Sequence, residues 1–234
     1  MIQFETDNDF KEGALLLLNK PYEWTSFDLV NKIKHKIKHQ FHYEKVKVGH
    51  AGTLDPLATG LLIVCVGKYT KKIDSYQSQV KEYIAAIQLG ATTPSFDLET
   101  EIDETHPTEH ITKELIDETL KGFIGEIQQR PPNYSAVKIK GKRAYEYARK
   151  GQEVEIKMKT LVIDEIEVLE FEKNILKLRI VCSKGTYIRA LARDIGRKLN
   201  SGAHLTALRR TRIGDFHIND ALEIEDFIKF LENL

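Results

Sequence analysis

In "GHAGTLDPLATGLLIVCV", residues 49–66, one carboxylate stands between a glycine-threonine turn and a proline. Proline disfavours helical geometry in the residue before it, so Asp55 is expected to be extended while Pro56 opens a turn. Two uses of the side chain then stay open. It could cap free N–H groups of the turn. It could instead be a nucleophile, because an ordinary aspartate with a pKa of about 3.9 is ionised at neutral pH without help from a base. Glycines 49, 52 and 60 permit another backbone to approach closely, which a simple cap does not require. His50 with Asp55 hints at a metal pair, but two ligands without a third nearby are a weak site, so no metal is expected.

A second constellation lies in "CSKGTYIRALARDIGRKL", residues 182–199. Arg189, Arg193 and Arg197 recur at four-residue spacing on one predicted helix. Stacked like charges are unfavourable there without an anion. Arg189 also falls in the first turn, where the helix dipole opposes a cation, so it calls for a carboxylate or phosphate. The alternative is a solvated arginine face. The chain has no phosphate-cradling glycine loop, dinucleotide fingerprint or serine elbow, and no cofactor is expected.

The net charge of zero conceals an uneven distribution. Residues 31–50 carry six lysines against Glu44, residues 130–150 seven basic residues against Glu146, and residues 184–212 eight against Asp194. Residues 99–119 reverse the balance, with eight acids and one base, Lys113. A cationic face for nucleic acid and three unrelated solvated surfaces both fit this pattern. The apolar runs at 14–18 and 61–66 are too short to span a bilayer. The acidic start does not resemble a signal peptide, so a cytoplasmic protein is expected. Cys65 and Cys182 each lie in an apolar run and read as buried reduced thiols.

The elements that must position these residues follow from periodicity. Residues 13–19 predict a buried strand. Thr25 and Asp28 form a capping box for a helix whose apolar stripe is Leu29, Val30, Ile33 and Ile37. Residues 45–48 and 61–66 predict strands on either side of the Asp55 bend. "VKEYIAAIQLG" predicts a strand with Tyr83, Ala85, Ile87 and Leu89 on one face. An acidic loop over 91–110 leads to a helix at 112–121, then to a basic loop at 130–142. Strands at 161–171 and 174–182, and helices at 187–199 and 223–232, complete the reading. Strands and helices do not alternate regularly, so an α+β fold with a mixed or antiparallel sheet is expected rather than a doubly wound parallel one.

Taken together, these segments resemble the TruB-type tRNA pseudouridine-55 synthases. "GHAGTLDPLATGLL" resembles the catalytic motif of that family, "LLLLNKPYEWTSFDLV" its lysine-proline motif, and "KEYIAAIQLGATTPSFD" its tyrosine motif. "QQRPPNYSAVKIKGKRAYEYAR" resembles its RNA-gripping insertion, and "CSKGTYIRALARDIGRKL" with "GAHLTALRRTRIGDF" its arginine motif and sequel. The resemblance implies a pseudouridine-synthase fold: a mostly antiparallel central sheet flanked by helices and RNA-binding loops. It implies a single catalytic domain over 1–234 with an insertion at about 128–151; the C-terminal PUA domain that many family members carry is not expected here, a departure from the family's pattern.

Carried over by position, Asp55 is implied to be the nucleophile. His50 enters the space that the extruded base leaves, and Tyr83 stacks on the flipped uracil. Arg189 pairs with the aspartate, and Tyr187 with the Leu208 backbone forms the uracil pocket. Lys20 and Pro21 support the active-site loop. Lys138, Lys140, Lys142 and Arg143 are expected on RNA phosphates. The implied partner is tRNA, through its T-arm stem-loop, and the implied state a monomer. Three rivals remain: an RNA-folding protein without need of chemistry, a uridine isomerase for another RNA, and a metal-dependent hydrolase built on His50 and Asp55.

Overall fold

The computed structural model describes residues 10, 12–135, 137–139, 141–152 and 154–233. It separates into two compact units, Met1–Tyr83 with Arg209–Leu234, and Ile84–Leu208.

The first unit contains β1 (Ala14–Lys20), α1 (Ser26–Gln40), β2 (Val48–His50), β3 (Ala58–Val66) and α2 (Ile73–Ser78). β1 and β3 pair antiparallel from Ala14↔Val66 to Lys20↔Gly60. Their runs at 14–18 and 61–66 are apolar without interruption because both faces are covered. Leu16, Leu18, Leu62 and Val64 meet Leu29, Ile33 and Ile37 of α1, while Leu15, Leu17, Leu61 and Ile63 pack with Ala51 and Ile213 on the other side. The α1 capping box is present, with Thr25 and Asp28 bonded reciprocally. The strand expected at 45–48 forms at 48–50 instead, because its ladder starts only where Val48 meets Val66, the end of β3.

The second unit begins within β4 (Lys81–Leu89), whose buried face carries Tyr83, Ala85, Ile87 and Leu89. The acidic segment expected as a loop holds a small hairpin, β5 (Ala91–Thr92) and β6 (Glu104–Thr105). It continues through α3 (Lys113–Lys121), β7 (Gly125–Gln129), a hairpin of β8 (Lys138–Ile139) and β9 (Lys142–Arg143), and α4 (Ala144–Ala148). β10 (Lys159–Glu172) pairs antiparallel with both β7 and β11 (Ile175–Cys182). α5 (Ile188–Lys198) ends at Asn200, which adopts a left-handed φ of 51°. That is the stop expected of the Asn-Ser-Gly sequence.

β12 (Ala203–Ile213) leads back into the first unit, followed by β13 (Phe216–His217) and α6 (Ile224–Glu232), which buries Ile224, Phe227 and Leu231. The result is an α+β fold with antiparallel ladders and, among the described residues, an isolated parallel bridge from Leu18 to Leu222. No helix among the described residues is long and apolar enough to cross a membrane. Cys65 and Cys182 are both fully buried, and burial pushes the Cys65 thiol up to about 11.

Candidate active site

Asp55 lies half-buried in the bend between β2 and β3, and its carbonyl accepts from the Ala58 N–H at 3.1 Å. The backbone on either side is held at alternate residues by three different side chains. Arg210, fully buried, donates from Nη2 to the Gly52 carbonyl at 3.0 Å and from Nε to Leu61 at 2.8 Å. The Ser26 hydroxyl accepts from the Leu54 N–H at 2.9 Å and donates to the Leu54 carbonyl at 3.1 Å. Lys20 Nζ donates to the carbonyls of Pro56 at 3.2 Å, Pro21 at 2.9 Å and Trp24 at 2.5 Å. Gly52, Leu54 and Pro56 are thus fixed, and Asp55 is carried between the last two.

The glycines have a geometric reason. Gly52 and Gly60 each adopt a φ of 105°, and a Cβ on Gly60 would lie 2.3 Å from the Arg210 carbonyl. Such a backbone tolerates only glycine.

The charges of this loop interact. Burial lowers the Lys20 pKa to about 8; the Asp55 carboxylate opposes that fall and Arg210 adds to it. Lys20 is therefore still mostly protonated at pH 7. His50 is held below the ordinary histidine value, first by burial and then by Arg210, so its imidazole is neutral at pH 7. Its Nδ1 is buried without a hydrogen-bond partner among the described residues. Tyr83, on the inward face of β4, is only 8% exposed. Among the described residues no group of three or more His, Cys, Asp or Glu side chains is placed to hold a metal ion.

In the second unit, Arg189 is buried in the first turn of α5. It donates to the carbonyls of Ser95 at 3.2 Å and Tyr134 at 2.9 Å, and lies 3.4 Å from a carboxylate oxygen of Asp97. The anion that its position calls for is thus supplied in part by Asp97. Arg193 is buried too, bonded to Asp194 and the Arg130 carbonyl and lying over the Phe96 ring. The solvated arginine face is therefore incorrect for two of the three residues; only Arg197 is exposed. The Tyr187 backbone is clamped at both ends by the buried Gln129 amide, which accepts from its N–H at 2.9 Å and donates to its carbonyl at 3.2 Å. Leu208 is buried within β12.

Lys138, Lys142 and Arg143 are exposed on the β8–β9 hairpin; Lys140 lies outside the described residues. Sequence reasoning passed over Ser26, Asp97, Gln129 and Arg210 as site residues. Only Asp97 had a signal of its own, as the terminal acid of the quoted tyrosine motif.

Residues 38–188 match the family described as "TruB family pseudouridylate synthase (N terminal domain)", and residues 189–233 match "tRNA pseudouridylate synthase B C-terminal domain". The chain belongs to the TruB family. It is accordingly a pseudouridine synthase, an isomerase. A protein of Phocaeicola vulgatus named tRNA pseudouridine synthase B is 62% identical over 96% of this chain and 95% of its own length. One of the same name from Flavobacterium johnsoniae is 52% identical over 97% of this chain and its whole length.

Among solved structures, a Cbf5-Nop10-Gar1 complex matches with a TM-score of 0.71 and 32% identity over 94% of this chain. An H/ACA RNP bound to a substrate RNA containing 2'-deoxyuridine matches with 0.68 and 29% over the same share. This chain spans about half the length of each of those two chains, 55% and 54%. The pseudouridine-synthase fold of the TruB family is thereby established for this chain.

Proposed function

We propose that the protein converts the T-loop uridine at position 55 of tRNA to pseudouridine, acting in the cytoplasm as a monomer, with Asp55 as nucleophile. The observation that carries this reading is the bracketing of Asp55 by Ser26, Lys20 and Arg210. A carboxylate that only caps a turn has no need of three side chains from distant parts of the sequence to fix its neighbours.

The reaction breaks the ribose C1′–N1 bond, turns the base, and forms a bond from C1′ to C5 of the same uracil. The C5 proton is lost and N1 regains one, so no atoms or electrons are gained. Asp55 holds a fragment covalently meanwhile, through either ribose C1′ or the base; both routes fit a fixed, ionised carboxylate. The lysine ammonium behind the loop favours that ionised form. Arg189, held by Asp97 and two carbonyls, is the cation assigned to Asp55 in this mechanism. Tyr83 and His50 serve the extruded base and the gap it leaves, with Tyr187 and the Leu208 backbone lining the uracil pocket.

Extrusion costs a few kcal/mol, and one aromatic stack returns about 1–3 kcal/mol. Net binding must therefore come from phosphate contacts, including Lys138, Lys140, Lys142 and Arg143. Incubation with an unmodified tRNA transcript, followed by carbodiimide treatment and primer extension, tests the reading. A single stop reporting position 55 is expected; modification only elsewhere, or none, overturns it.

A further inference from the structure

An open groove of about 710 Å³ lies along the C-terminal half of α1. Lys32, His35, Lys36, Lys38 and His39 line it from the helix, with His42 and Glu44 from the segment that follows. Of these, Lys32, His35, Lys36 and His39 stand at i, i+3, i+4 and i+7, which places those four on one face. α1 carries no acid after Asp28 to offset them. Lys36 is met by Glu232 at 3.2 Å, whereas no carboxylate among the described residues pairs with Lys32 or Lys38. The helix dipole accounts for a cation in the last turn, Lys38. It does not account for Lys32, nearly two turns earlier.

The way α1 ends is a second, independent sign. The Tyr43 N–H bonds back to the Lys38 carbonyl at 3.1 Å and the His42 N–H to His39 at 3.4 Å, closing a Schellman motif. The residue at its left-handed position is His42, with φ 50°. Glycine is the usual occupant, since it alone adopts that geometry without cost. Here the strained position is given to an imidazole that lines the groove. Strain kept where glycine would serve better points to use of the side chain.

The groove is open and runs over two turns of helix, roughly 10 Å. That suits a row of successive phosphates better than one small anion, which would be enclosed. The other end of α1 is tied to the active-site loop through the Ser26–Leu54 bonds, and the groove begins ~10 Å and ends ~20 Å along the helix from that contact. We propose that the groove is a second RNA-binding surface, taking backbone phosphates of the duplex stem that carries the target loop. This rests on the RNA-modifying function proposed above. Lysines hold the phosphates by charge, and the imidazoles add N–H donors in either protonation state.

The test measures binding of an unmodified T-arm stem-loop by filter retention at two salt concentrations, with melting temperature recorded for each protein. Lys32→Gln combined with Lys38→Gln should weaken binding about 10-fold and lower the salt slope by about 1–2. His42→Gly should raise the melting temperature and still weaken binding, a pairing that a purely structural histidine would not produce. Glu44→Gln should tighten binding.

A His42→Gly protein that is more stable and binds as tightly as the parent, or a double variant with an unaltered salt slope, overturns the proposal. Pseudouridine is mapped on the same samples. Its absence with the binding effects intact would sink the reaction and leave the groove, and the reverse outcome would sink the groove alone.

Discussion

Ser26 and Leu54 exchange two hydrogen bonds, 2.9 Å and 3.1 Å, between the first residue of α1 and the residue before Asp55. Both are buried, so neither Leu54 backbone group has water to fall back on. Ser26→Ala leaves both unsatisfied. We expect a loss of about 1–3 kcal/mol in urea unfolding. Single-turnover rate should fall while RNA affinity holds, because the damage is to the aim of Asp55. An unaltered rate in a measurably destabilised protein would show that this clamp serves the fold alone.

Asp55→Asn is nearly isosteric and can no longer act as a nucleophile. It should retain the melting temperature and RNA affinity of the parent and form no pseudouridine. A cap would lose little on this change, since asparagine caps almost as well. Turnover by the variant, with deamidation excluded by mass spectrometry, would remove Asp55 from the mechanism.

Arg189 and Asp97 form a pair that is 4% and 7% exposed. Asp97→Asn keeps an acceptor for the Glu99 N–H, bonded now at 3.0 Å, but takes the Asp97 charge away from the buried guanidinium. Destabilisation of about 3 kcal/mol is expected in denaturant, together with a lower catalytic rate at saturating RNA. Wild-type stability would mean that the charge of Asp97 is not needed to hold Arg189.

Lys20 supplies a pH dependence. Its folded pKa is lowered to about 8 from 10.5, so between those values the unfolded chain binds the extra proton. Stability from this group therefore rises as pH increases from about 8 to about 10.5, and the penalty of the buried charge is fully present below pH 8. Lys20→Met abolishes that slope while orphaning three carbonyls. Urea titrations of both proteins at pH 7 and 9.5 should show the parent gaining relative to the variant at the higher pH. A constant difference would place the folded pKa of Lys20 at its ordinary value.

Tyr83→Phe should keep the ring, the fold and RNA affinity, with loss confined to rate. Tyr83→Ala should cost about 3–5 kcal/mol, as for other buried aromatics, and should also lose stacking on the base. If the alanine variant turns over normally per folded molecule, Tyr83 is a core residue only.

The parts of this fold that were legible in the sequence have local causes. The capping box of α1, the paired strands β10 and β11, and the apolar stripe of α6 follow from patterns a few residues long. β12 was not read as a strand because "AHLTALRRTRI" carries arginines where a buried strand would be apolar. Arg210 is nonetheless among the largest fully buried side chains, because Leu61 and Gly52 offer it carbonyls. No rule of spacing connects position 210 with position 52. The same holds for Gln129 with Tyr187 and for Arg189 with Asp97: each pairing exists only after the chain has folded. Asp55 stood out beforehand because its own neighbours, glycine and proline, mark an unusual backbone.

The deep burial of both native cysteines has a practical consequence. The chain has only two, Cys65 and Cys182, each with no exposed surface. At Cys65 the thiolate that reacts with maleimides is suppressed as well. A cysteine introduced on the β8–β9 hairpin at Lys138, or beside the α1 groove at Lys34, would be the one thiol that a dye reaches in the folded protein. Two such singly labelled proteins would report, by fluorescence, the order in which RNA arrives at the hairpin and at the helix, with both native cysteines left in place.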